Sequence, residues 1–144
     1  MLIDRQNQFS DAQSVTATAA STDSIDLGSV RNIGVGEPLY IVFLVTTTFV
    51  GAGATVTPSL QTDDNSAFSS AATVRTYDTF AALTPAGTFR YYEIEPISAL
   101  GTYERHIRVL YTVAGGTLTA SGFTSFLAKD LAAFRAYTSG YAVQ

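Results

Sequence analysis

A chain of 144 residues is one compact domain by length, and with 47% hydrophobic but only 14% charged residues its surface must be largely neutral, filled by Ser, Thr and Ala. Eight Lys plus Arg against twelve Asp plus Glu give a net charge of -4, the wrong sign for gripping a phosphate backbone, so nucleic acid is excluded as the direct partner. No cysteine is present, which removes disulfides, thiolate nucleophiles and sulfur metal sites.

In chain order, residues 1–11 set Leu2, Ile3 and Phe9 among Asp, Arg, Gln and Asn with no period, as expected of an N-terminal arm lying on a neighbouring surface. The same stretch lacks the apolar core of a secretory signal, so synthesis in a host cytoplasm is expected. Gln13 to Ala20 alternates Val15, Ala17 and Ala19 with polar residues and predicts a first strand; Ile25 to Leu27 predicts a short second one. Gly28, Gly34 and Gly36 bracket a loop ending in Glu37-Pro38. Leu39 to Thr48 follows as the strongest strand signal; the apolar stretch to Val50 is broken by three threonines and is shorter than the ~20 residues of a membrane helix, so no membrane association is expected.

Gly51-Ala52-Gly53 ends that strand, and Thr55 to Thr62 predicts the next, with Pro58 marking an edge or a bulge because it cannot donate to a ladder. Asp63-Asp64-Asn65 reads as a turn, and Ala72 to Tyr77, Phe80 to Leu83 and Thr88 to Glu95 as three further short strands. Tyr103 to Leu127 reads as a long hairpin about Gly115-Gly116, with Val113 opposite Leu118, Tyr111 opposite Ala120 and Val109 opposite Gly122, large against small. Its first arm keeps Tyr103, Ile107, Val109, Tyr111 and Val113 on one face. Phe126 to Arg135 suggests a strand end running into a short helical turn. The sum is an all-β sandwich or barrel, of which a jelly roll is one arrangement, divided into an arm (1–11), a β domain (12–130) and a C-terminal tail (131–144).

Reactive chemistry is sparse. His106 is the only histidine, too few for a histidine metal centre, and no Gly-x-Ser-x-Gly elbow presents a nucleophile to it; beside Glu104 it reads as half of a salt-bridged pair. Asp63, Asp64 and Asn65 lack the regular spacing of a calcium loop, and Glu93 with Glu95 reads as a solvated strand face instead of a glycosidase pair. Gly34-Val35-Gly36 and Gly51-Ala52-Gly53 each lack the third glycine of a phosphate loop. Tyr91-Tyr92 and Phe123 with Phe126 suggest a sugar-stacking platform, but neighbours on a strand face opposite ways, so one of each pair belongs to the core. No enzyme activity, cofactor or metal is expected.

Four segments carry a family resemblance: DAQSVTATAASTDSIDLG (Asp11 to Gly28), NIGVGEPLYIV (Asn32 to Val42), SLQTDDNSAFSS (Ser59 to Ser70) and RHIRVLYTVAGGTLTASGF (Arg105 to Phe123). In combination they resemble the capsid cement proteins of Bordetella-type short-tailed bacteriophages and related prophages, over roughly Met1 to Asp130. The resemblance implies a jelly-roll β-sandwich of about eight antiparallel strands. It further implies self-association, as a dimer in preference to a trimer, and a place on the outer surface of the virion, bridging neighbouring major capsid protein subunits. The irregular arm and the loop before Tyr40 are the expected contacts, through Leu2, Ile3, Arg5, Phe9, Arg31 and Tyr40, because apolar residues without a strand period want a partner to cover them. The alternative is a carbohydrate-binding jelly-roll module on the virion surface, using Tyr91 or Tyr103 with loop carboxylates.

Overall fold

The computed structural model describes residues 3–33, 36–95 and 103–131. After a turn of 3-10 helix at Arg5–Asn7, nine strands follow: β1 (Gln8–Gln13), β2 (Ala19–Ala20), β3 (Ile25–Asp26), β4 (Tyr40–Val50), β5 (Thr55–Asp63), β6 (Ala72–Thr76), β7 (Phe89–Glu93), β8 (His106–Ala114) and β9 (Ala120–Ala128). One sheet runs β1-β9-β4-β7 and the other β2-β8-β5-β6, with β3 also on β8; every pairing is antiparallel.

β2 and β3 both pair with β8, at Tyr111–Leu110 and Ile107–His106, and act as one interrupted strand. Counted so, the described residues form eight strands, and the first pairs with the last, the second with the seventh, the third with the sixth and the fourth with the fifth. That nesting is a long antiparallel ribbon wound into two sheets, the jelly-roll arrangement. Between the sheets lies one core, in which Phe9, Phe43, Phe49, Phe80, Tyr111 and Phe123 are fully buried.

The winding overturns the expected hairpin. β8 and β9 belong to different sheets, so Tyr111 pairs laterally with Ala19 and Pro58, while Ala120 pairs with Val50 and Gly122 with Thr47. Tyr111 instead meets Phe123 across the core, ring stacked on ring at 4.9 Å. Locally, two glycines suit a tight turn; here they serve a loop that carries the chain from sheet to sheet. That loop packs backbone to backbone on the Gly51–Ala54 loop, which makes the same crossing. A Cβ on Gly116 would collide with the Ala52 carbonyl oxygen, and one on Gly51 with the Thr117 carbonyl oxygen.

The sandwich also begins earlier than expected. Gln8–Gln13 pairs with β9, and beyond Gln13 only Ala19–Ala20 of the stretch read as a first strand is in a sheet. Phe80 is joined to Val56 by an isolated bridge, with no longer strand there. Pro58 sits on β5 beside β8, and its ring nitrogen is on the side where β6 has ended: Val56 N–H and C=O both reach Phe80, and the Pro58 carbonyl accepts from Tyr77 N–H at 2.9 Å. The missing donor is therefore placed where no ladder bond is lost.

Candidate binding surfaces

In a sandwich the outward face of a sheet is ordinarily polar. The outward face of β1-β9-β4-β7 instead carries an apolar patch beside the polar Glu93 and Thr124. The register puts Val42 level with Tyr91 and Phe126, Tyr40 level with Ala128, and Leu44 level with Phe89, all opposite in sense to the core residues Ile41, Phe43 and Val45. Val42, Phe126 and Ala128 form a second apolar cluster, against which Ile3, Phe89 and Leu131 pack. Tyr91 stands at its edge, 46% exposed, with Tyr40 edge-on at 6.1 Å and Phe89 at 6.0 Å. Lys129 and Glu37, both well exposed, form an ion pair at 2.9 Å.

The expected contact residues divide accordingly. Ile3 and Tyr40 join this apolar face. Phe9 does not: it is wholly buried in the main core, because β1 supplies it as an inward side chain, and it is withdrawn as a contact residue. Arg5, exposed, reaches Asp23 at 3.5 Å, and Arg31 lines a broad cleft with Gln6, Asn7, Asp26, Leu27 and Ile33. The N-terminal segment thus connects the apolar face to that cleft. Leu2 lies outside the described residues, as does residue 132 onward of the expected tail.

Of the sequence-level pairs, Tyr92 turns inward against Tyr77 and Phe43 while Tyr91 faces out. Phe123 is core, but Phe126 is buried as well, in the outer cluster. Asp63 anchors its turn, accepting from Asn65 N–H and Ser70 N–H at 2.8 Å each; the Asn65 bond, with that from Ser70, holds its carboxyl below the usual range. Asp26 is held far below it by a bidentate pair with Arg105 at 2.9 and 2.8 Å, helped by Gly28 N–H. His106 packs edge-on to Phe68, whose ring also carries the Arg108 guanidinium at 4.3 Å. Among the described residues no group of three His, Asp or Glu is placed to hold a metal, and no helix is long and apolar enough to cross a membrane.

A family model matches residues 9–127, the described sandwich almost from end to end. The chain belongs to the Bbp16 family. The family is associated with Bordetella phage, which makes the chain a phage structural protein. A search of curated proteins gave no match.

Proposed function

We propose that this Bbp16-family protein is a non-enzymatic cement protein, binding the outside of the expanded icosahedral shell and bridging adjacent major capsid protein subunits. The observation that carries the reading is the apolar outward face of the four-stranded sheet. A neutral, weakly charged surface with Tyr40, Leu44, Phe89 and Tyr91 grouped on one face suits a protein that works covered by partners. A ligand that binds only the expanded lattice lowers the free energy of that lattice by mass action, and many copies turn interfaces of roughly 800 Å² per partner into a large total. Self-association as a dimer belongs to the same reading, and sedimentation equilibrium tests it.

The shell itself provides the main test. Purified protein mixed with expanded, cement-free shells of its own phage is expected to co-sediment to saturation and to raise the temperature at which the shells break. Equal binding to the unexpanded precursor would remove the link to expansion, and no binding by folded protein would remove the cement role.

A further inference from the structure

Among the described residues the sandwich has four sheet edges, formed by β1 and β7 in one sheet and by β2–β3 and β6 in the other. A sheet edge carries unpaired N–H and C=O groups that invite another strand, and proteins blunt such edges by shortening, interrupting or bulging them. Three of the four are blunted in this way. β1 changes register twice against β9 and passes through a positive φ of 46° at Ala12. β6 changes register once against β5, and β2 and β3 contribute two residues each. β7 is the exception: Phe89 to Glu93 keep one unbroken register against β4, from Leu44 to Tyr40.

The hydrogen bonds flanking β7 fix which of its backbone groups are free. Val45 N–H donates to the Thr88 carbonyl at 2.9 Å, and Ile94 N–H to the Leu39 carbonyl at 2.8 Å. Antiparallel bonding alternates along a ladder, so Arg90 and Tyr92 turn their N–H and C=O to β4, while Phe89, Tyr91 and Glu93 turn theirs away from it. Of these outward groups, the Glu93 carbonyl accepts from Arg75 Nη1 at 3.1 Å and keeps a second lone pair. Tyr91, midway along the edge, is well exposed.

A second copy of the same strand fits this edge. Placed antiparallel about a two-fold axis at Tyr91, it sets Tyr91 against the partner's Tyr91 and Phe89 against the partner's Glu93 as hydrogen-bonded pairs, with Arg90 against the partner's Tyr92 between them. Every outward N–H and C=O of β7 is then used, and no two like charges face each other across the pair. The outward aromatic group of Tyr40, Phe89 and Tyr91 runs on from one copy into the next, and the two four-stranded sheets become one of eight. We propose that the protein dimerises by pairing β7 with the partner's β7. The proposal rests on the self-association that belongs to the cement reading, and not on the contact with the shell.

The chain has no cysteine, so Tyr91→Cys gives each copy a single thiol at the two-fold axis. The Cα atoms of a hydrogen-bonded antiparallel pair are about 5.5 Å apart, within reach of a disulfide. Mild oxidation is expected to convert most of this variant to a covalent dimer, and to do little to Leu83→Cys, which is exposed but lies off the edge. Hydrogen exchange on the unaltered chain needs no substitution. Above a Kd on the order of 10 μM, as suits an interface smaller than the standard size, the amides of Phe89, Tyr91 and Glu93 are expected to be protected. Dilution below it should restore fast exchange at those three while Arg90 and Tyr92, bonded to β4, stay protected. Tyr91→Pro, which removes an outward N–H and no bond to β4, is expected to weaken dimerisation by at least about tenfold in sedimentation equilibrium, with an unchanged circular dichroism spectrum. A chain that stays monomeric at concentrations on the order of 1 mM would overturn the proposal together with the dimer. A dimer that fails to cross-link through Tyr91→Cys, or whose Phe89, Tyr91 and Glu93 amides exchange alike at both concentrations, would overturn the β7 edge alone and assign the dimer to another surface.

Discussion

Removing the Tyr111 hydroxyl should destabilise the sandwich, although the residue is far from any surface. Its oxygen lies 2.6 Å from Ser10 Oγ and 2.7 Å from Ser125 Oγ, and the two serines are 2.7 Å apart, so three hydroxyls from β8, β1 and β9 close a ring in which each donates once and accepts once. Tyr111→Phe keeps the stacking on Phe123 but breaks two of the three bonds and leaves one buried donor and one buried acceptor unpaired. At about 1 kcal/mol for each lost bond the cost is roughly 2 kcal/mol, a fall in Tm of roughly 4–8 °C for a domain of this size. Urea denaturation followed by circular dichroism should show a lower midpoint with an unchanged slope. Ser10→Ala should then cost less in the Tyr111→Phe background than in the wild type, because the partners are shared. A midpoint equal to or above the wild type would refute the claim that this ring ties β1 to both sheets. Burial lifts the Tyr111 pKa to about 12, so the effect should not vary with pH between 5 and 9.

Tyr77→Phe should behave in the opposite way, leaving stability unchanged or raising it by up to about 1 kcal/mol, because the hydroxyl it removes has no partner among the described residues; thermal melts check it. Gly116→Ala should cost about 1–3 kcal/mol by forcing apart the two crossing loops, read as a lower urea midpoint. Asp26 and Asp63 have folded pKa values below their ordinary 3.8, so the stability they add is present above that value and is lost as pH falls below it; Asp26→Asn should flatten the fall in stability between pH 4 and 2, measured by urea midpoints. Arg5→Ala should leave stability within about 0.5 kcal/mol of the wild type, since its pair with Asp23 is long and exposed, yet should weaken co-sedimentation with shells and reduce its sensitivity to salt.

Where one residue type recurred at period two, the sequence was legible. β4 and β5 fall within two residues of their expected limits, and β8 buries Ile107, Val109 and Tyr111 while exposing Thr112, because a sheet face packed on a core demands that alternation. The partner of β8 was not legible. A glycine pair between two apolar strands is compatible with a hairpin and with a crossing between sheets, and only the nesting of all eight strands decides. β1 escaped for a different reason: it buries Gln8 and Ser10 beside Phe9, and a buried serine has no apolar signature until Tyr111 and Ser125 are brought to it. The candidate surfaces were half visible. Ile3 and Tyr40 could be picked out as apolar residues without a partner, but their union with Phe89 and Tyr91 depends on β4 pairing with β7, a contact between residues some fifty positions apart. Nothing in the sequence could show that the Tyr77 hydroxyl lacks a partner among the described residues while that of Tyr103 has one.

The central claim is that the outward face of β1-β9-β4-β7 is the surface that meets the shell. Hydroxyl-radical footprinting tests it most directly, by comparing side-chain oxidation in free protein and in protein bound to expanded shells. The account predicts that Tyr91, Phe89 and Tyr40 become protected on binding while the exposed Leu83, outside that group of residues, stays reactive. Saturable binding with Tyr91, Phe89 and Tyr40 oxidised as readily as in the free protein would contradict it and move the contact to another face of the sandwich.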